Sequence, residues 1–214
     1  MRRVNPLLLL SIALLSSLAR AAAPVVSLPA DALPVPLTRQ ATVYSCGAAA
    51  AVGVLRYWQA WEGPEMTLHK MLDTTEAQGT HPKKILETLK TFGLKAELKK
   101  GMTAEDLRGH LLRGETVILD IQAWPDQADR LIEWKNLWDS GHYVVLVAID
   151  DANAYVMDPS VPQGYAWLPV PELLERWHDF ENRYGTYERN IHLGIIASGA
   201  NPLQAFPGSL LRLE

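Results

Sequence analysis

The chain has 214 residues, of which 48% are hydrophobic and 21% charged, with 20 basic against 24 acidic side chains and a net charge of −4. This is the balance of a single globular domain long enough to bury a core without staples. The acidic balance argues against nucleic acid or an anionic membrane as a partner.

The N-terminus reads as a secretory signal peptide over residues 1–21. Arg2 and Arg3 form a positive start, residues 7–18 are an apolar run broken only by serines, and Ala19-Arg20-Ala21 fits a small-x-small cleavage site. The run is short for a membrane span of about 20 residues, which favours cleavage after Ala21 over retention as an anchor. Cleavage would remove Arg2, Arg3 and Arg20 but no acid, moving the net charge from −4 to −7. An extended segment over residues 22–37, rich in Pro, Ala and Val, then leads into the domain expected over residues 38–198.

Helical patterns come first within that domain. Residues 46–61 start on an Ala-rich turn with Ser45 as N-cap, and residues 65–72 form a second short helix. Thr80 caps a third, which has Pro82 in its first turn and closes at Gly93. Thr103-Ala104-Glu105-Asp106 resembles a capping box that opens a fourth, running to about Arg113. Strands dominate afterwards. Residues 116–121 are a strand candidate, and residues 125–140 a polar loop carrying Trp134 and Trp138. Residues 142–149, apolar on both alternating faces, suggest a central strand. A turn at residues 150–153 leads to strands over 154–157 and 165–168, a helix over 171–180 and a last strand over 191–197. Residues 199–214 are a peripheral tail. Helices followed by an antiparallel sheet make an α+β domain.

The single cysteine is informative, because exported domains that keep cysteine usually keep pairs. Cys46 is either an inert core residue or a thiol kept for its reactivity. Placed in the first turn after Ser45, it meets unpaired backbone N–H groups and the positive end of the helix dipole, which favour a thiolate. A cysteine nucleophile needs a base. His142, after Gly141 at the start of the strongest strand, is the candidate. Asp158, 16 residues on, could accept from the imidazole and fix its tautomer, although Asp158-Pro159-Ser160 is equally ordinary turn chemistry. Gln40, six residues before Cys46, could donate to a developing oxyanion together with the Cys46 backbone N–H.

Together these residues carry a resemblance. Gln40, Cys46-Gly47, Gly141-His142-Tyr143 and Met157-Asp158-Pro159, in that order and spacing, resemble the bacteriocin-processing, double-glycine peptidase family of the papain-like cysteine peptidase clan. The likeness runs from about Thr38 to Ala197. It implies a papain-like fold in which Cys46 attacks a peptide carbonyl and His142 activates the thiol and later protonates the leaving amine. It also implies that Asp158 orients the imidazole and Gln40 stabilises the oxyanion. The chain differs from the transporter-linked members in carrying its own leader and no membrane-spanning or nucleotide-binding region. It looks more like stand-alone exported relatives, so double-glycine leader specificity does not follow. Cell-wall amidases of the NlpC type usually have Asp-Cys-Ser at the nucleophile, unlike Tyr44-Ser45-Cys46-Gly47, and transglutaminase-like proteins typically lack the upstream Gln.

The expected activity is therefore that of an exported cysteine peptidase, periplasmic or extracellular, acting on a peptide or exported protein. No cofactor, metal, nucleic acid partner or stable membrane insertion after signal cleavage is expected. A peptide-binding module on the same fold and a cell-wall peptide amidase or acyltransferase are the alternatives. His178 and Asp179 lack further ligands at metal spacing and read as capping or packing residues. His69, His81, His110 and His192 read as structural, and Trp58 and Trp61 as core. Trp134 and Trp138 either line the cleft or pack a loop.

Overall fold

The Ala-rich stretch after Ser45 forms helix α1, Cys46–Tyr57, whose residues from Gly47 to Leu55 are all buried. A helix apolar all round belongs inside a protein, and here α1 is the central helix. It is followed by a 3-10 turn at Glu65–Thr67, by α2 (His69–Leu72) and by α3 (Pro82–Thr91). The remaining elements are β1 (Lys95–Lys99), α4 (Ala104–Leu112), β2 (Thr116–Gln122), β3 (Gly141–Ile149), β4 (Asn153–Met157), β5 (Tyr165–Pro169), α5 (Val170–Arg176), β6 (His178–Arg183), β7 (Thr186–Ile191), β8 (Gly194–Ser198) and β9 (Leu210–Arg212). This computed structural model describes residues 26–161, 163–183, 185–205 and 210–212, so the leader expected over residues 1–21 lies outside the described residues. No helix among the described residues is long and apolar enough to cross a membrane.

Seven of the described strands form one sheet in the order β1-β8-β2-β3-β4-β5-β9, antiparallel except for the β5–β9 pair. β6 and β7 form a separate hairpin. β3 is buried almost throughout, because both faces of the sheet are covered. One face packs Tyr143, Val145 and Val147 against α1 and the helices behind it, including Leu55, Leu72, Ile85 and Leu89. The other packs Val144 and Leu146 against Leu107 of α4, Leu173 of α5 and Trp177. The chain before α1 joins this core: Val35 is buried, Leu33 donates its N–H to the Val147 carbonyl, and the Tyr165 hydroxyl donates to the Val35 carbonyl.

Several boundaries differ from the sequence expectations. Thr103 and Asp106 do form a reciprocal capping box on α4, but Ser45 does not cap α1. Its hydroxyl instead accepts from the Thr42 N–H and donates to the Thr42 carbonyl, closing the turn ahead of the helix. α3 is capped by the His81 ring, which accepts from the Lys83 N–H, while Thr80 faces the cleft. The helix expected over residues 171–180 stops at Arg176, and the chain enters the β6–β7 hairpin. That hairpin is polar and partly exposed, so it lacks the apolar alternation that marks a half-buried strand. β1, an edge strand not expected from the sequence, does alternate, with Ala96 and Leu98 packed on the core between Lys95, Glu97 and Lys99.

Leu55→Ala should destabilise the protein by about 2–5 kcal/mol, because it empties a fully buried site on the central helix. Leu112→Ala, at a position 83% exposed, should stay within about 0.5 kcal/mol. Urea denaturation of the two variants beside the parent measures both.

Candidate active site

Cys46 is the first residue of α1, presented by a loop that is fastened at several points. The Ala41 N–H donates to Glu65 Oε2 at 2.8 Å, and Glu65 is itself held by His69 at 2.6 Å. Gln40 ties the same loop to the segment after β4: its N–H donates to the Pro159 carbonyl, and its side-chain oxygen accepts from the Ser160 hydroxyl.

His142 is the second residue of β3, and Asp158 directly follows β4. Near the turn the register pairs Ile149 with Ala154 and Ala148 with Tyr155, but after a bulge it pairs Leu146 with Val156 and Val145 with Met157. A one-residue shift moves every later side chain to the other face. Continued without the bulge, the first register would set Asp158 opposite Val145, on the α1 face. With the bulge Asp158 falls opposite Val144, the face and diagonal position from which it meets His142.

That meeting is close and dry. His142 Nε2 lies 2.7 Å from Asp158 Oδ1, with His142 6% and Asp158 1% exposed. The same carboxylate accepts from the Ser160 N–H at 2.7 Å and from the Trp124 indole N–H at 3.0 Å. Burial pushes the Asp158 carboxyl up, but the His142 charge and these three donors outweigh it and hold the group below its ordinary value. For His142, burial acts most strongly and downward. The Asp158 charge and hydrogen bond, together with a hydrogen bond and charge from Cys46, overturn it and raise the ring to about 10. Nε2 is occupied by Asp158, which leaves Nδ1 for the sulfur.

Asp158 and His142 are thus hydrogen-bonded, and Cys46 lines the same cleft as the ring and acts on its charge, while Gln40 stands to the side. Its amide donates to the Thr42 carbonyl at 2.9 Å, and it borders the space on the His142 side, with Trp124 and Ser160, rather than the cleft that holds Cys46. That cleft has a volume of about 430 Å³ and is lined by Cys46, His142, Tyr44, Thr80, Tyr143 and Asp179 among others. Two glycines keep it open. A Cβ on Gly47 would sit 2.8 Å from Thr80 Cβ and 2.9 Å from Tyr143 Cδ2, and one on Gly141 would sit 2.8 Å from Asp179 Cγ.

A family model described as the Peptidase_C39 like family matches residues 32–191. The chain belongs to this family. Two solved structures share the fold of this C39-like domain. One is a double glycine motif protease from an AMS/PCAT transporter in complex with the leader peptide (TM-score 0.53, 19% identity, 80% of this chain and 94% of that one). The other is the peptidase domain of Streptococcus ComA, a bi-functional ABC transporter (TM-score 0.54, 17% identity, 78% and 99%). No curated protein sequence matches the chain significantly. The architecture is thus the α+β, papain-like fold of C39 peptidase domains.

This C39-like domain also uses residues that the sequence pattern did not single out. Trp124, held at a positive φ of 58°, supplies the indole that fixes Asp158, a role expected of none of the tryptophans. Trp134 instead lies under the Arg176 guanidinium, and Trp138 packs on the His178 ring. Asp179, expected to cap or pack, faces the cleft beside the buried Asp120. Burial, with the charges of Asp179 and Glu181, raises Asp120 well above the usual carboxylate range. Asp179 is raised to about 6, chiefly by burial, against opposing hydrogen bonds from the Phe180 N–H and from the Asp120 and Gln122 side chains. The two carboxyls thus lie together in a buried setting that opposes charge on both. An acid alone in the otherwise apolar centre of β2 is the one sequence signal that pointed there.

Asp158→Asn should lower the His142 titration midpoint from about 10, since burial then acts without the opposing carboxylate charge. Following the His142 ring protons by NMR across pH 5–11 (roughly the span between ordinary His and Lys values) measures it. An unchanged midpoint would mean that Asp158 does not set the charge of the ring.

Proposed function

We propose that this protein is an exported cysteine peptidase that hydrolyses peptide bonds through an acyl-enzyme on Cys46. The observation that carries the reading is the buried Asp158–His142 pair, hydrogen-bonded at 2.7 Å, beside Cys46 in one open cleft. Membership of a C39-like peptidase family supports it, and a protein of this fold solved with its leader peptide favours a peptide as the substrate.

In this mechanism His142 holds a proton at neutral pH, and an imidazolium beside sulfur stabilises a thiolate. The thiolate attacks the scissile carbonyl, and its electron pair forms the C–S bond while the carbonyl oxygen takes the negative charge. The Cys46 backbone N–H is the first donor to that oxygen, and Gln40, beside the adjoining space, turns its amide towards it when substrate is bound. One Gln40 N–H is bonded to the Thr42 carbonyl, which leaves the second for the oxyanion. His142 Nδ1–H protonates the leaving amine as the C–N bond breaks. The neutral ring then takes a proton from water, whose oxygen displaces Cys46 and releases the acid. Asp158 stays ionised throughout and holds the ring in place.

The leader pattern over residues 1–21 supports action in the periplasm or outside the cell. There a lone thiol has no internal disulfide partner, and the partly covered setting of Cys46 suits its survival.

Comparing the exported proteome of cells that carry the intact enzyme with that of cells carrying Cys46→Ala tests both proposals. The expected result is a new N-terminus or C-terminus on one exported protein, present only with the intact enzyme, and a mature enzyme that itself begins at Ala22. Identical proteomes would contradict the peptidase reading. An enzyme recovered only in the cytoplasm with Met1 in place would contradict export.

A further inference from the structure

The wall of the cleft away from Asp158 is acidic. Glu76, Asp139, Asp179 and Glu181 all line the space that holds Cys46, and among the described side chains none that lines it is Lys or Arg. Asp179 and Glu181 alternate along β6 and so face the same way. Beneath them lies Tyr143, 6% exposed, whose hydroxyl has no hydrogen-bond partner among the described residues. It lines the same cleft, near Asp120, Asp179 and Glu181. A buried polar group without a partner is costly, and this one borders the space a substrate enters.

We propose that this wall is a specificity subsite that takes a cationic side chain of the substrate, lysine or arginine, within about two residues of the scissile bond, with Asp179 as its counter-ion and the Tyr143 hydroxyl as a further acceptor. The inference rests on the peptidase reading of the same cleft and adds the substrate class to it.

Asp179 is set to meet one positive charge. It lies beside the buried Asp120, and the Gln122 amide donates to Asp179 Oδ1 at 3.2 Å. Asp179 is thereby fixed over the Cα of Gly141, where a side chain would collide with it. The Asp179 carboxylate is a charge that an ammonium or guanidinium would neutralise. A cation also offers a donor to the Tyr143 hydroxyl. Among the described residues no three acids, histidines or cysteines converge as metal ligands, which favours an organic cation over a metal ion. Burial raises Asp179 because an unpaired carboxylate is unfavourable there, and a cation in the subsite relieves that cost.

The test uses the Cys46→Ala protein, which binds without turnover, and a set of fluorescent hexapeptides carrying Lys, Arg, Gln or norleucine at each position in turn. Fluorescence anisotropy gives the affinities. At one position Lys or Arg should bind about tenfold tighter than Gln. That ratio should fall towards one in the Cys46→Ala, Asp179→Asn protein. Should that double variant fail to fold, added salt provides a second readout, because it should erode the ratio in the parent. Equal affinity of the Lys and Gln peptides at every position, including no measurable binding by any of them, overturns the proposal, as does a ratio that survives both Asp179→Asn and salt. Neither result bears on whether Cys46 is a nucleophile, which the cleavage comparison decides separately.

Discussion

A one-residue bulge between Leu146 and Ala148 sets which face of the sheet Asp158 presents, and with it whether His142 has a partner. Side-chain alternation in a strand has period two, so no intermediate arrangement exists. With the bulge, a carboxylate 1% exposed and an imidazole 6% exposed meet at 2.7 Å. Without it, Asp158 would point into the apolar face that packs on α1 and find no cation there. The site therefore depends on backbone register before it depends on any side chain.

Burying ionic groups is expensive unless each is paired and hydrogen-bonded. Asp158 meets that condition with three donors, from His142, Ser160 and Trp124. Part of the cost appears in the backbone, since Trp124 adopts a left-handed conformation unusual for a bulky side chain. The imidazole is then flanked by a carboxylate on one nitrogen and a sulfur on the other, and both favour its protonated form. Asp120 and Asp179 face the same cost, and burial raises both carboxyls above their ordinary range. The cleft is thus lined by a cationic ring and by acids, with Cys46 among its lining residues.

Much of this was legible in the chain. The helix after Ser45 and the central strand from His142 follow from periodicity and local chemistry, whereas joining Cys46, His142 and Asp158 into one site rests on the resemblance to a family. The capping box at Thr103 was equally plain. What stayed hidden has a common physical cause: it depends on contacts between segments distant in sequence. The bulge in β3 leaves no mark in an apolar run, because Val147 and Ala148 are buried whichever face they take. The β6–β7 hairpin is polar because one side stays wet, so it reads as the end of a helix. Trp124 looks like any tryptophan before a proline, and its use is set by Asp158, 34 residues away. Gln40, six residues ahead of the nucleophile, lies near the site as expected, but its amide is engaged with Thr42.

The most direct measurement is the rate at which iodoacetamide labels Cys46, followed by mass spectrometry in the parent and in His142→Ala at neutral pH. If the imidazolium activates the sulfur, the parent takes up one label per chain, and the variant reacts at least about tenfold more slowly. Equal rates in the two proteins would mean that the ring does not act on the thiol, and the proposed chemistry at Cys46 would fail.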